Sequence, residues 1–392
     1  MTNQDLIQSH DQYVMGTYGR YPIAISHGEG AKLFDFDGKS YIDFASGIGV
    51  NSIGYGNRAW IQAITDQAAK LGHISNLYYT EPAAKVAEIL CKRTDYSKVF
   101  FANSGAESNE GLIKLARKYS HDKYGPGRST IVTLEGSFHG RTVTTISATG
   151  QPAFHQHFFP FTEGFHFVPK GDVKDIKTVD SGVCAVLLEL IQGEGGVLPL
   201  NKSFVQEVAK FCKEQDILLL VDEVQTGIGR TGSLFAFEQY DITPDAVSFA
   251  KGIAGGVPFG GFMTNEKCSH VLGPGTHATT YGGNPLGAAA AKVVLDTLTD
   301  EMLQEVREKG QYIGERVQAM QSPYVTEVRG LGLMIGIILE GLSHRELVGK
   351  LGEAGLLALV AGSATLRLLP PLTITYEEID KGLAILQAAL CN

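Results

Sequence analysis

The sequence lacks any concentration of basic residues and any long apolar run. Lys and Arg total 33 against 42 Asp and Glu, which gives a formal net charge of -9. We therefore expect no nucleic-acid partner and no binding to an anionic membrane. The apolar runs, such as ILLLV at 217–221, are too short to span a bilayer, and the polar first twelve residues lack the apolar core of a signal peptide. These absences predict a cytoplasmic protein with small-molecule partners.

Neither cysteine nor histidine occurs in a pattern that indicates disulfides or a metal. The five cysteines form an odd set without a C-x-x-C pair, and most stand among apolar neighbours, so we expect reduced thiols in the core. His155, His157 and His166 are close in sequence, but no cysteine or carboxylate cluster accompanies them at the spacing of a zinc site. The sequence therefore predicts no metal.

The chain is rich in apolar side chains that are arranged in alternating patterns. Of its 392 residues, 44% are hydrophobic and 19% are charged, which allows a large core and more than one lobe. Between about 99 and 265, β-rich apolar runs alternate with helical patterns, one of which follows a single helical face over 202–214 with Asn201 placed to cap it. This alternation is typical of an α/β protein with a mainly parallel sheet flanked by helices.

The two ends of the chain differ in character from this central part. Residues 28–44 read as two short strands around an Asp-Gly turn, whereas 296–390 mixes helices with short strands. We expect a large domain and a smaller α+β domain assembled from both termini. The predicted parts are an N-terminal segment of the small domain, a large domain and a C-terminal segment of the small domain: 1–50, 51–290 and 291–392.

Two ionisable residues stand at the ends of apolar, strand-like runs. ILLLV leads directly into Asp222, and AVSFA leads into Lys251, which glycines follow. Both groups should emerge at the carboxyl edge of the sheet, where open α/β sheets bind ligands. A lone aspartate could simply cap the next loop, and a lone lysine could extend to solvent. Together, however, an acid and an amine in one crevice suit a cofactor that needs a fixed anion and a covalent amine.

A third segment has the pattern of a phosphate-binding turn. FFANSGAESNE at 100–110 reads as a strand, a turn of small residues and a helix that begins with Ser104, Gly105 and Ala106. The free N–H groups and the positive end of a helix dipole attract phosphate, although a capping box from Ser104 to Glu107 would explain the motif without a ligand. The motif matches neither a nucleotide-triphosphate loop nor a dinucleotide loop.

A phosphate-binding turn, a fixed carboxylate and an amine are together the groups that pyridoxal 5′-phosphate requires. In this interpretation Asp222 keeps the pyridine nitrogen protonated, and Lys251 forms the Schiff base. Desolvation and nearby positive charge should lower the pKa of Lys251, so that its released amine can shuttle a proton. The sequence therefore predicts a pyridoxal-phosphate enzyme.

The motifs also resemble those of a known family. VDEVQTGIGRTG, HATTYGGNP, NSGAESNE, GSFHGRT, IQGEGG, AKGIAGGVPFG and LRLLPPLTI occur in order and cover almost the whole chain. The sequence is similar to the class III, or ω-, aminotransferases of pyridoxal-phosphate fold type I, and within them to the acetylornithine aminotransferases. This resemblance implies transfer of the terminal amine of N2-acetylornithine to 2-oxoglutarate, in arginine biosynthesis.

The resemblance assigns further residues to the cofactor. It implies that Phe138 stacks on one face of the pyridine ring, that Val224 covers the other, and that Gln225 bonds the phenolic oxygen. It also implies that Thr280 reaches the phosphate of a neighbouring subunit, which requires a homodimer with shared active sites. His139, beside Phe138, is expected only to pack next to the cofactor, and the aromatic stretch 154–167 is expected to be a loop on the core or at the dimer interface.

The resemblance also implies how substrate carboxylates are bound. Arg141 and Arg367 are the candidate guanidinium groups, because a guanidinium grips a carboxylate with two parallel hydrogen bonds. Glu194 would neutralise Arg367 while the amino donor binds and then swing away for 2-oxoglutarate or glutamate. Tyr18 would lie near the donor carboxylate. Gly47, where ornithine aminotransferases tend to carry tyrosine, would leave space for an acylated donor.

Several other reactions stay open at the level of sequence. The same arginines could grip succinylornithine, succinyl-diaminopimelate, ornithine or 4-aminobutyrate. An aminomutase of the glutamate-1-semialdehyde type shares the fold and cofactor but moves the amine within one molecule. A catalytically idle cofactor-binding protein is disfavoured because Asp222, Lys251 and both arginines are present together.

Overall fold

The computed structural model describes residues 2–179 and 182–391. The helices are α1 Asn3–Tyr13, α2 Ser46–Gly49, α3 Arg58–Lys70, α4 Glu81–Thr94, α5 Gly105–Tyr124, α6 Val143–Ala148, α7 Val173–Lys177, α8 Lys202–Gln215, α9 Pro285–Thr297, α10 Asp300–Ala319, α11 His344–Ala354 and α12 Tyr376–Cys391. The strands are β1 Ile25–Glu29, β2 Lys32–Asp35, β3 Ser40–Asp43, β4 Lys98–Ala102, β5 Thr130–Leu134, β6 Phe165–Val168, β7 Val183–Leu188, β8 Ile191–Gln192, β9 Leu198–Pro199, β10 Leu218–Asp222, β11 Ala246–Phe249, β12 Gly260–Thr264, β13 Val325–Leu331, β14 Met334–Leu339, β15 Leu356–Leu357, β16 Leu359–Ala361 and β17 Thr365–Leu368.

A seven-stranded sheet in the order β4-β12-β11-β10-β7-β5-β6 forms the centre of the protein. Only β12 runs antiparallel to its neighbours, so the expectation of a mainly parallel sheet is confirmed. The strands other than β12 therefore end at one edge. Asp222 closes β10 there, in register with Ser248 on β11, and Lys251 follows two residues after β11 ends.

Helices cover both faces of this sheet because its inner strands are apolar on both sides. On β10, Leu219 and Val221 contribute to the same core cluster as α8, whereas Leu218 and Leu220 contribute to the cluster that holds α5. The helix predicted over 202–214 is α8, and the Asn201 side chain caps it by accepting from the N–H groups of Ser203 and Phe204. The architecture is thus α/β, as predicted.

The termini form smaller sheets with a mixed α+β character. An antiparallel sheet has the order β13-β14-β17-β16, and the N-terminal strands β1, β2 and β3 are joined by β15 from near the C-terminus. The two strands predicted around the Asp-Gly turn of residues 28–44 are β2 and β3, and residues 28 and 29 complete β1. The pairing of β3 with β15 supports assembly of a small domain from both ends, whose boundaries at 50 and 290 stay a prediction.

The aromatic stretch 154–167 differs from the expected loop. Its last three residues belong to β6, which pairs in parallel with β5 at the edge of the central sheet. Its first residue, Phe154, closes a 3-10 turn over Pro152–Phe154. Within residues 2–179 and 182–391, no helix has the length and apolar character needed to cross a bilayer.

Candidate active site

A cavity of about 250 Å³ lies at the carboxyl edge of the central sheet. Eight of its lining residues were assigned to the site from the sequence. The other four are His139, which the sequence placed only beside the cofactor, and Asn109, Gly140 and Glu189, which the sequence did not assign to the site. The lining residues are Gly105, Ala106, Asn109, Phe138, His139, Gly140, Arg141, Glu189, Asp222, Val224, Gln225 and Lys251. The cavity is therefore the candidate site.

Asp222 is buried at the wall of this cavity, and both of its carboxylate oxygens are engaged. One oxygen, Oδ2, accepts a hydrogen bond from Asn109 Nδ2 at 2.7 Å and lies 2.8 Å from His139 Nδ1. The other, Oδ1, accepts from the Val224 N–H at 3.0 Å, as a loop-capping aspartate would. His139 does more than pack beside the site, contrary to expectation, because it contacts the carboxylate directly. These bonds fix the position of the anion.

Lys251 lies on the wall of the same cavity with unusual backbone geometry. Its φ is 42°, in the left-handed region that side-chain-bearing residues rarely adopt outside turns and functional sites. Burial lowers the pKa of its amine and the charge of Arg367 acts in the same direction, whereas the carboxylates of Glu194 and Asp222 oppose this shift. The direction agrees with the prediction for an amine that exchanges protons near neutral pH.

The N-terminus of α5 supplies the small residues on another part of the wall. Ser104 caps the helix, its hydroxyl accepting from the Glu107 N–H at 3.3 Å, whereas the Glu107 carboxylate bonds the Asn103 N–H rather than closing a capping box. Gly105 and Ala106 line the cavity, and their N–H groups belong to the first turn, which has no intrahelical acceptors. A Cβ at Gly105 would lie 2.5 Å from Val224 Cγ1, so any other residue there would force Val224 or the start of α5 to shift.

Glu189 is a site residue that the sequence analysis missed. Its carboxylate accepts from the Phe138 N–H at 2.8 Å and from the Gly193 N–H at 3.4 Å. Burial and the nearby charge of Asp222 hold its pKa well above the usual range, although the two N–H groups and Lys251 oppose the shift. A carboxylate within the apolar run VCAVLLELI was the available signal, since buried carboxylates are rare without a partner.

Arg367 and Glu194 form the ion pair that the sequence predicted. Arg367, on β17, is buried and its Nη1 lies 2.7 Å from Glu194 Oε1, while Glu194 is about one-third exposed. The same Nη1 donates to Gln225 Oε1 at 3.1 Å, which connects the pair to the cavity wall. A partly exposed partner can move away at lower cost than a fully buried one, so the geometry is compatible with a gate.

Besides Arg367 and Glu194, three predicted residues do not line the cavity in this single chain. Ser104 caps α5 beside it, whereas Thr280 and Tyr18 are exposed. The nearest ring contact of Tyr18 is with the Arg20 guanidinium, 5.4 Å from the ring centroid. The chain alone does not bring Thr280 or Tyr18 to the cavity. Across residues 2–179 and 182–391, no group of three or more His, Cys, Asp and Glu side chains is arranged to hold a metal ion.

Comparison with known proteins decides the family. The aminotransferase class-III profile matches residues 13–390. The chain belongs to this family. It is 48% identical to an acetylornithine aminotransferase of Haemophilus ducreyi over 100% of this chain and 99% of the relative. It is 42% identical to a succinylornithine transaminase of Citrobacter koseri over 96% and 94% of the two chains. An ornithine aminotransferase structure from Toxoplasma gondii superimposes with a TM-score of 0.95 at 30% identity, covering 99% and 94%.

Class-III aminotransferases use pyridoxal 5′-phosphate, and the residues that line the cavity of this protein fit that cofactor. The cavity combines a lysine, a fixed carboxylate and the open first turn of a 20-residue helix. Within the described ranges, three buried polar atoms around it have no partner: His139 Nε2, Asn109 Oδ1 and Arg367 Nε. Buried polar groups are rarely left unpaired in native proteins, so such atoms are expected where a polar ligand binds.

Proposed function

We propose that this class-III aminotransferase transfers the terminal amine of N2-acetylornithine to 2-oxoglutarate. The products are N-acetylglutamate 5-semialdehyde and glutamate, which places the enzyme in arginine biosynthesis and in the cytoplasm. The observation that carries the proposal is the cavity that unites Lys251, Asp222 and the N-terminus of α5, with Arg141 on its rim. The full-length likeness to an acetylornithine aminotransferase supports the choice of donor.

The cofactor is held by residues from four strand ends. The Ser104, Gly105 and Ala106 turn binds the phosphate through N–H groups and the helix dipole. Phe138 and Val224 enclose the ring. Gln225 presents its amide N–H₂ to the phenolic oxygen, because its Oε1 already accepts from Arg367. When bound, pyridoxal 5′-phosphate supplies an aldehyde for Lys251 and a ring that accepts electrons from the substrate carbon.

Asp222 and Lys251 handle the protons of the reaction. The Asp222 carboxylate would hold a proton at the pyridine nitrogen of the bound cofactor, and its contacts with Asn109 and His139 fix its position. With the cofactor bound, the Lys251 amine would take a proton from the substrate carbon that bears the amine and deliver it to the aldehyde carbon of the cofactor. Its lowered pKa leaves more of the amine unprotonated at neutral pH, which general base catalysis requires.

The two arginines and Glu194 distinguish the two substrates. Arg141 is exposed, and no group within residues 2–179 and 182–391 accepts a hydrogen bond from its guanidinium, so it is available for the donor carboxylate. Arg367 is neutralised by Glu194 while the donor binds, and serves 2-oxoglutarate after Glu194 moves away. Tyr18 contributes near the donor carboxylate. We assign Gly47, which is exposed and has a φ of 60°, to the side of the site that takes the acyl group.

A homodimer completes the site in this proposal. Asn76 Nδ2 donates to the Gly282 carbonyl at 2.9 Å, which ties the Thr280 loop to a surface with exposed Leu77, Tyr78 and Tyr79. Such an apolar surface beside the loop suits contact with a second copy of the chain. Thr280 would then reach the phosphate of the cofactor bound in that copy. Light scattering should give twice the mass of 42.1 kDa, and a monomer that is fully active would exclude shared sites.

Steady-state assays across acylated and free donors test the proposal. With 2-oxoglutarate as acceptor, kcat/KM should be highest for N2-acetylornithine among succinylornithine, succinyl-diaminopimelate, ornithine and 4-aminobutyrate. Glutamate should be released only when 2-oxoglutarate is supplied. A higher kcat/KM for free ornithine or 4-aminobutyrate would refute the assignment of N2-acetylornithine as the donor. Turnover without any acceptor would indicate an aminomutase.

A further inference from the structure

The aromatic stretch that begins at Phe154 contacts the candidate site through its first ring. The Arg141 guanidinium carbon lies 4.0 Å from the Phe154 ring centroid and 5.6 Å from that of Phe138. The two rings meet edge to face, with centroids 5.7 Å apart and planes at 71°. Phe154 thus touches both the arginine assigned to the donor carboxylate and the ring assigned to the cofactor face.

The backbone around Phe154 is tied firmly to the segment that carries Phe138. Gln151 Nε2 donates to the Ser137 carbonyl at 3.1 Å, and the Gly150 N–H donates to Ser137 Oγ at 3.0 Å. The Phe154 N–H in turn donates to the Gln151 carbonyl at 3.0 Å and closes the 3-10 turn. These bonds hold the Phe154 ring at a set distance from Phe138.

Beyond Phe154, the stretch is anchored to α6. His155 Nε2 lies 2.8 Å from the Ile146 carbonyl, and the Thr162 N–H donates to Ser147 Oγ at 3.0 Å. The ring of His155 also contacts those of Phe161 and Phe167. The stretch is therefore a fixed support for Phe154.

Arg141 has no such anchor of its own. It is exposed, and within residues 2–179 and 182–391 no acceptor bonds its guanidinium, so the two rings are the only specific contacts that restrict its orientation. An arginine side chain has many accessible rotamers, and stacking on an aromatic face selects among them while leaving the N–H groups free.

We propose that Phe154 is a positioning residue that sets specificity for donors with a carboxylate. Its ring holds the Arg141 guanidinium in the orientation that receives the carboxylate of an ω-amino acid, and supports Phe138 from the edge. This inference rests on the proposed role of Arg141. It assigns a function to the start of the aromatic stretch, whereas the sequence suggested only a packed loop.

Two variants separate positioning from packing. Phe154→Leu keeps an apolar side chain but removes the aromatic face, and Phe154→Tyr keeps the face. The donors to compare are N2-acetylornithine and N-acetylputrescine, which is the same molecule without its carboxylate. Single-turnover reactions with excess donor, followed by cofactor absorbance, make even slow transfer measurable.

The expected pattern is specific to the carboxylate. Phe154→Leu should lower kcat/KM for N2-acetylornithine about ten-fold, mainly through KM, and leave N-acetylputrescine within about two-fold. Phe154→Tyr should retain wild-type values for both donors. An equal loss for both donors in Phe154→Leu, or no loss for either, would overturn the proposal.

A binding measurement gives a readout independent of turnover. N-acetylnorvaline carries the donor carboxylate but no terminal amine, so calorimetry can measure its Kd without reaction. The Kd should rise about ten-fold in Phe154→Leu and stay unchanged in Phe154→Tyr. Arg141→Ala is the reference: if its Kd and donor discrimination equal those of wild type, the proposed role of Arg141 fails. If Arg141→Ala loses both and Phe154→Leu loses neither, only the role of Phe154 fails.

Discussion

The imidazole Nδ1 of His139 lies 2.8 Å from the buried carboxylate of Asp222. Asn109, on the inner face of α5, donates to the same oxygen and also to the His139 carbonyl, at 2.7 and 2.8 Å. The three residues come from a helix, a loop and a strand end, and together they fix the anion at the end of β10. A fixed anion costs no reorganisation when it stabilises a cation in the site.

Replacing Asp222 should therefore impair catalysis. Asp222→Asn keeps the shape but removes the negative charge that holds a proton at the cofactor ring, and kcat should fall roughly 10²- to 10³-fold. Asp245→Asn is a matched control, since Asp245 immediately precedes β11, accepts from the Leu219 N–H at 2.9 Å and does not line the cavity. An Asp222→Asn enzyme with kcat within two-fold of wild type would contradict the assignment.

A methyl group at Gly105 should weaken cofactor binding. The new Cβ would lie 2.5 Å from Val224 Cγ1, so Val224 or the start of α5 must shift. We expect the Kd for pyridoxal 5′-phosphate to rise at least about ten-fold in Gly105→Ala. Gly349→Ala, also in a helix but with no atom within 4 Å of the new Cβ, should leave the Kd unchanged. Equal Kd values for both variants would remove this turn from the phosphate site.

Glu194→Gln should unbalance the two half-reactions. Arg367 would remain buried and charged without its anionic partner, so the donor half-reaction should slow about ten-fold relative to the acceptor half-reaction. Each half-reaction can be measured separately by cofactor absorbance with one substrate at a time. Equal slowing of both halves would indicate that Glu194 only supports the structure and does not act as a gate.

Glu223 should make stability depend on pH. It is fully buried, and burial raises the pKa of its carboxyl from 4.5 to about 7, although bonds from Thr226, Ala236 and Phe237 oppose the shift. Because the folded pKa lies above the unfolded value, the native state binds more protons between these two values. The contribution of Glu223 to stability is therefore complete below pH 4.5 and is lost as the pH rises towards 7.

The variant Glu223→Gln isolates this contribution. From pH 5.5 to pH 8, the wild type should lose about 2 kcal/mol more of its free energy of unfolding than the variant loses. Urea unfolding at the two pH values, at one fixed protein concentration, measures the difference. Parallel pH dependence of the two proteins would show that the Glu223 carboxyl titrates at its ordinary pKa.

Regular elements of the sheet could be predicted because their physical cause is local. Apolar runs such as that of β10 appear directly in the sequence, and Asn201 caps α8 as its position indicated. Asp222 and Lys251 lie at the same edge of the sheet because β10 and β11 run parallel, and this could be inferred from the sequence. Asn109 could not be singled out, since a polar residue inside a helix is ordinary. Its role depends on the hydrogen bond to Asp222 on β10, which is over 100 residues away in the sequence.

Other features depend on strain or on contacts that no local pattern encodes. At α2 the backbone turns left-handed through four successive residues, including Ser46 at a φ of 47° and Ile48 at 67°. No intrinsic preference favours a β-branched residue there, so tertiary contacts must impose it. The Asp43 carboxylate contributes by accepting from the N–H groups of Ala45 and Ser46 at 2.8 and 2.9 Å. The edge strand β6 could not be recognised in the sequence because its residues continue an aromatic run.

Every step proposed for this enzyme depends on a covalent bond between Lys251 and the cofactor. Borohydride reduction of the enzyme with bound pyridoxal 5′-phosphate, followed by peptide mapping, measures which lysine carries the cofactor. The result predicted is a single labelled peptide containing Lys251, and no label on Lys170, whose pKa burial also lowers but which does not line the cavity. Label on any other lysine, or a Lys251→Ala enzyme that keeps full turnover, would show that Lys251 is not the lysine that carries the cofactor.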